Sequence, residues 1–149
     1  MRTPWRWTAA LGLMVLLVPG CGGGSGQGLD GNGRPVGEGA DPGGPLLPTY
    51  ASIQSHVFTP ICVACHSGGS APEGLRLDSA SAYAMTVNVA SAEVSSLKRI
   101  APGDPDNSYL VQKIEGHASV GARMPYGGPY LDAATIATIR LWISQGAVQ

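Results

Sequence analysis

The chain has 149 residues and balances 9 Lys+Arg against 10 Asp+Glu, a formal net charge of −1. That near-neutral balance offers no basic footprint for a phosphate backbone and argues against nucleic acid as a partner. Charged residues make up only 13% of the chain, low for a soluble domain, while Gly 22 and Pro 12 are abundant and unevenly placed. The length fits one folded domain, and a second has no room once the N-terminal segments are set aside.

Residues 1–20 read as an export signal. Arg2 and Arg6 are the only charges before Asp30, and an apolar run from Ala9 to Val18 follows them. The run is too short to span a bilayer as a helix, which needs about 20 apolar residues. It ends in Val18-Pro19-Gly20-Cys21. A small residue before a cysteine at this position resembles the lipobox of bacterial lipoproteins. The resemblance implies that Cys21 is lipidated and becomes the mature N-terminus. Gly22 after the cysteine, by likeness to Gram-negative sorting patterns, favours the outer membrane. The alternative is an ordinary secretory signal cut nearby, with Cys21 incidental.

The lipidated Cys21 opens a tether that reaches residue 47. From 22 to 47 the chain reads GGGSGQGLDGNGRPVGEGADPGGPLL, with 11 glycines, three prolines, no aromatic residue and no apolar period. Nothing in it offsets the entropy of ordering. A Gly-rich coil of this length spans roughly 25–30 Å. A phosphate-binding glycine loop is disfavoured, because no strand precedes it and no helix follows in register.

Residues 48–149 form the expected folded unit. Thr49 is placed to cap a short helix with Tyr50, Ile53 and Val57 on one face, which Pro60 interrupts. A second turn carries Ile61 to His66. Asp78 or Ser79 starts a short helix through Ala82, Tyr83 and Met85. Asp104-Pro105 reads as a helix start, an N-cap acid followed by proline at the first helical position, and Gly116 stops that helix. Asp132 caps the last helix, whose apolar residues are Ile136, Ile139, Leu141, Trp142 and Ile143, and Gly146 ends it. Residues 86–103 and 118–131 are irregular, and no alternating strand pairs are evident. The expected class is all-α. Only seven aromatics serve this unit, a light core that a bulky apolar cofactor would complete.

The chemistry is concentrated in Cys62-Val63-Ala64-Cys65-His66, a C-x-x-C-H sequence, the attachment signature of c-type haem. Two thiols at this spacing add across the two vinyl groups on one porphyrin edge, and the next residue presents an imidazole to the iron. Three other readings compete. A redox-active disulfide calls for a strand–helix unit that is absent. A closed zinc site needs four ligands, with only His56 and His117 left to complete it. A chance pair is the third. Export favours haem, since its attachment takes place outside the cytoplasmic membrane. For a second axial ligand the candidates are Met124, His117, Met85 and His56. Met124 precedes Pro125 in a Gly/Pro-rich loop, which stiffens the placement of a thioether. His117 is the rival, Met85 reads as core, and His56 lies on the proximal side.

The stretch from Ile53 to Gln145 resembles a class I mono-haem c-type cytochrome domain of exported bacterial proteins. The resemblance rests on Val57-Phe-Thr-Pro-Ile-Cys-Val-Ala-Cys-His-Ser-Gly68, Gly103-Asp-Pro-Asp-Asn-Ser-Tyr-Leu110 and Arg123-Met-Pro125. It implies a small all-α cytochrome c-like shell around one covalent haem c, held by Cys62 and Cys65, with His66 the proximal and Met124 the distal ligand. It also implies an N-terminal helix packed against a C-terminal one, with Trp142 near that contact or the ring. Arg123, Tyr126 and Tyr130 are candidates for propionate or loop contacts. His/Met ligation uses both axial positions and leaves one-electron exchange as the chemistry. The expected function is electron transfer to and from redox protein partners, on a membrane-tethered periplasmic domain and not as an enzyme. The alternatives are a haem enzyme or gas sensor with a labile distal site, and an electron-entry module docked on a larger oxidoreductase.

Overall fold

Thr49 opens the first helix as expected. Its backbone is extended and its side chain accepts from Ser52 N. In the computed structural model, which describes residues 43–149, helix α1 spans Tyr50–Ile53. The signal at 1–20, Cys21 and the tether as far as residue 42 lie outside the described residues. The packed region reaches upstream of Pro48. Leu46 lies against the core, Leu47 N donates to Ser52 Oγ (2.9 Å), and Gly44 O meets His56 Nε2 (3.0 Å).

Pro60 does not interrupt the helix. The chain continues from α1 as a π-helical stretch, Gln54–Cys62, with Pro60 inside it. In an α-helix a proline ring crowds the carbonyl four residues back. The wider π-turn bonds five residues back instead, as Val63 N does to Phe58 O (2.9 Å). The turn after it is tied by Cys65 N and His66 N, both donating to Cys62 O (3.2 and 2.9 Å).

A single 3₁₀ turn follows at Pro72–Gly74, then helix α2 at Ala82–Thr86. Helix α3 covers Tyr109–Glu115, starting later than Asp104-Pro105 predicts. The Asp104 carboxylate accepts from Asn107 N and Nδ2 (3.2 and 2.7 Å), and its carbonyl accepts from Ser108 Oγ (2.8 Å). These local bonds hold a turn that competes with helix. Tyr109 N and Leu110 N then bond out to Lys98 O and Arg99 O (2.9 Å each). Gly116 ends α3 in the left-handed region at φ 88, as read from the sequence.

Helix α4 spans Ala133–Ser144, with the Asp132 carboxylate accepting from Thr135 N (2.7 Å). Ile136, Ile139, Trp142 and Ile143 are buried, whereas Leu141 is 47% exposed. At 100° per residue, position 141 turns away from the stripe that 136, 139 and 143 share. Among the described residues no strand forms. Isolated bridges such as Val87–Ile100 and Lys98–Ser108 tie the irregular region together, so the architecture is helical, consistent with the all-α expectation. No described helix is long and apolar enough to cross a membrane.

Trp142 organises the core. It is fully buried, its ring lies 6.0 Å from that of Tyr50, and Nε1 donates to Val148 O (2.8 Å). Tyr50 meets Tyr83 edge-on at 5.1 Å, and Tyr83 OH donates to Ala147 O (3.0 Å). The first helix, α2, α4 and the C-terminal tail are thereby joined.

Candidate functional site

The π-helical stretch and its closing turn deliver Cys62, Cys65 and His66 to a cavity of about 420 Å³. The loop after α3 delivers Met124 to the same cavity. All four predicted site residues of the folded domain are therefore brought together. The size lies within the usual range of small-ligand sites, roughly 300–1,000 Å³. Apolar side chains, among them Leu75, Leu77, Leu110, Ile114 and Leu131, make up much of the wall.

His66 Nδ1 lies 3.1 Å from Leu75 O. A carbonyl only accepts, so Nδ1 carries the proton and Nε2 keeps its lone pair for a metal. A second partner of this kind fixes both tautomer and ring orientation. Cys62 and Cys65 are both free thiols. Burial pushes the Cys62 thiol up to about 11, so it is neutral near pH 7.

The rival histidines stand elsewhere. The His56 ring faces the Ser52 and Gly44 carbonyls (2.9 and 3.0 Å). His117 pairs with Glu115 at 2.8 Å and its side chain is 58% exposed. Neither approaches the two cysteines to complete a zinc site. Among the described residues, no three His, Cys, Asp or Glu side chains converge as an ion site. Met85 Sδ accepts from Arg76 N (3.4 Å), away from the cavity wall. His66 and Met124 are the histidine and methionine that line the cavity.

The loop carrying Met124 is strapped to α3. Met124 N donates to Lys113 O (2.9 Å), Arg123 Nε to Ile114 O (2.9 Å), and Tyr109 OH to Val120 O (2.7 Å). Lys113 Nζ pairs with Glu93 (2.7 Å) and also donates to Val120 O (3.1 Å). Gly121, at φ +72, passes against this pair where a Cβ would collide with Glu93 Oε1 and Lys113 Nζ. Of the three candidates for contacts at the ring, Arg123 is occupied. Its guanidinium stacks over Tyr130 at 4.1 Å. Tyr126 lines the cavity and is 78% exposed, and Tyr130 is 50% exposed.

Four contributors escaped the sequence reading. The Leu75 carbonyl carries no side-chain signal. Glu93 and Lys113 are 20 residues apart and meet only in three dimensions. Arg99, in the irregular stretch, reaches the cavity wall with its guanidinium held by Met85 O and Glu73 O (2.9 and 2.8 Å).

The donor set fits haem. Two adjacent thiols, an imidazole with Nε2 available and a thioether share one apolar cavity, and this combination suits a soft-ligated iron porphyrin better than a hard cation. No curated protein and no solved structure matches the chain. Residues 62–125, from the first cysteine of the motif to the proline after Met124, match the family described as Planctomycete cytochrome C, a match that supports a cytochrome c-like domain and implies covalently bound haem c.

Proposed function

We propose that this chain is a one-electron carrier. Cys62 and Cys65 would hold a single c-type haem, with His66 and Met124 as donors to its iron, on an exported domain anchored by lipid at Cys21. The observation that carries the reading is that Cys62, Cys65, His66 and Met124 line one apolar cavity. When bound, the haem supplies a reversible one-electron couple. The chain's own residues do the rest. Leu75 O orients the imidazole through Nδ1, and the α3 straps hold the Met124 loop in place. The apolar wall excludes water, which with a thioether ligand favours the ferrous state and raises the potential. With His66 and Met124 both donating to the iron, the bound haem would supply electron exchange and not oxygen or peroxide chemistry, so the proposed role is electron transfer and not catalysis. The partners are redox proteins, at a periplasmic membrane surface with the outer membrane favoured.

Mass spectrometry of the denatured protein tests the first part. The expected result is one haem added to the mature chain, with a pyridine-haem spectrum of the two-thioether type. A bare chain mass refutes the cytochrome reading. Cys21→Ser tests the anchor. It is expected to release the protein into the soluble fraction or block its maturation, and a wild-type protein already wholly soluble refutes lipidation. Multiple acyl chains on one cysteine suffice for stable anchoring at about 0.8 kcal/mol per buried CH₂.

A further inference from the structure

Glu73 is one of three described non-glycine residues in the left-handed region, at φ 56 and ψ 20, and Gly74 follows it at φ 59. A left-handed backbone costs a residue with a Cβ free energy, so its surroundings must hold it there. Packing supplies little of that hold, because Pro72, Glu73 and Gly74 are all exposed. Two local bonds close the turn, Gly74 N to Ala71 O and Leu75 N to Pro72 O (3.0 Å each). The tie at Glu73 itself comes from Arg99, 26 residues further on, whose Nη2 donates to Glu73 O (2.8 Å). Its Nη1 donates to Met85 O in α2 (2.9 Å). Arg99 is pinned in turn, with its N donating to Val89 O (2.7 Å) and its O accepting from Leu110 N in α3 (2.9 Å). Two residues after Glu73, the Leu75 carbonyl lies 3.1 Å from His66 Nδ1, and Leu77 N donates to His66 O (2.8 Å). The strained turn thus stands directly ahead of the carbonyl that orients the imidazole.

Resting on the proposed function, we infer that Arg99 is a positioning residue for His66: it fastens the left-handed turn at Glu73 to α2, holds the Leu75 carbonyl on the imidazole, and so tunes the electron affinity of the site. A planar guanidinium reaches two carbonyls from separate nitrogens, a fork that the single ammonium of lysine does not reproduce. Without the fork the turn relaxes from its strained conformation and draws the Leu75 carbonyl away from Nδ1. An imidazole whose Nδ1–H is bound is the more basic ligand, which favours ferric iron. Loosening that bond favours the ferrous state and raises the potential. Arg99 also lines the cavity, so its charge offers a second, direct route to the cofactor. The two routes differ in sign, because removing a cation from beside the cofactor favours the ferric state and lowers the potential.

The test uses the whole holoprotein and follows solvent exchange of the His66 Nδ1 proton by NMR in the diamagnetic ferrous form, together with the reduction potential. Arg99→Lys keeps the charge and loses the fork. A hydrogen bond from a charged donor is strong enough to shift the opening of the turn about tenfold, so exchange should quicken about tenfold. The potential should rise, with the ferrous-to-ferric ratio at a fixed poise increasing about threefold, or about 28 mV for one electron. Lys98→Gln, at an exposed neighbour whose Nζ is on Asn88 (2.6 Å), should change neither. Glu73→Gly relieves the strain, since glycine takes a positive φ freely. Alone it should slow exchange about fivefold, and in the Arg99→Lys background it should recover most of the loss. Glu73→Gln removes the same charge, keeps the strain, and should leave exchange unchanged. Wild-type exchange and potential in Arg99→Lys, with only the urea midpoint lowered, make Arg99 a structural residue and overturn the inference. A fall in potential in Arg99→Met without faster exchange assigns Arg99 to the cofactor by charge, and overturns it too. If Arg99→Lys does not fold, Glu73→Gly decides by itself, and exchange that it fails to slow overturns the route through the turn. Covalent haem is read from the absorbance of each sample first. Its absence from the wild type refutes the proposed function itself, whereas the wrong exchange pattern with haem present refutes only the role of Arg99.

Discussion

Lys113→Met removes one half of the pair that holds the wall of the cavity to the Met124 loop. The methionine keeps most of the apolar stem and loses the ammonium. Lys113 and Glu93 are 12% and 17% exposed, and their closest approach is 2.7 Å. A fully exposed pair contributes about 0–1 kcal/mol. Breaking a fully buried one costs about 3–5 kcal/mol, because the remaining charge is stranded. This pair sits nearer the buried limit, and Lys113 also satisfies Val120 O (3.1 Å), so a loss of about 2–3 kcal/mol is expected. With a urea slope of roughly 1–3 kcal/mol/M for a domain of this size, the unfolding midpoint should fall by about 1–2 M. Glu93→Gln alone should cost a similar amount, but the double variant should lose less than the sum, leaving a coupling of about 1–2 kcal/mol. That coupling should survive 1 M salt, since the screening ions reach the pair poorly. Urea denaturation of the four proteins of the cycle reads all of this. A coupling near zero, or one abolished by salt, shows a solvated surface pair and refutes the claim that it holds the loop.

Met124→Ala should leave the haem attached, because Cys62, Cys65 and His66 are untouched, but the ferric spectrum should lose its sulfur charge-transfer band, the potential should fall and carbon monoxide should bind the reduced form more readily. His117→Ala should change none of these, since its ring is on Glu115; the opposite pattern in the two spectra would make the site bis-His. Trp142→Ala empties a fully buried site beside Tyr50 and should cost about 3–5 kcal/mol by denaturant unfolding, while Leu141→Ala on the same helix, at an exposed position, should cost under about 1 kcal/mol. The Asp132 carboxyl is held below its usual range by the Thr135 hydrogen bonds. A depressed folded value means its contribution is full above the unfolded pKa of about 4 and lost as the pH falls through the folded value; Asp132→Ala should flatten the acid limb of the melting profile over that window, and an unchanged limb would show that the cap does not titrate with folding.

Local chemistry was legible wherever one residue or a short spacing decides the outcome. Thr49 and Asp132 cap helices and Gly116 stops one, because a cap needs only its own side chain or backbone and the next turn of chain. The motif from Cys62 to His66 names its own chemistry for the same reason. Where two local signals compete, the sequence alone ranked them wrongly. Pro60 reads as a helix break until the wider π-turn accommodates it. Asp104-Pro105 reads as a helix start until Asn107 and Ser108 claim the aspartate for a turn.

What only the tertiary structure decided are the meetings across long stretches of chain. Loop closure brings Met124 to the cavity of Cys62 and sends His117 to Glu115, a choice that residue type and spacing left open. The same closure sets the Leu75 carbonyl on His66, Lys113 on Glu93 and Arg99 on the cavity wall. None of these leaves a periodic trace, because an irregular loop satisfies its backbone through partners far away in sequence. Apolar type alone groups Leu141 with the core; the helical period turns it off the stripe of Ile136, Ile139 and Ile143, and it is exposed. A sequence of this composition thus specifies its caps, its attachment motif and its helical class through short-range physics, while the wall of the cavity, Met124 included, follows from how the loops close around it.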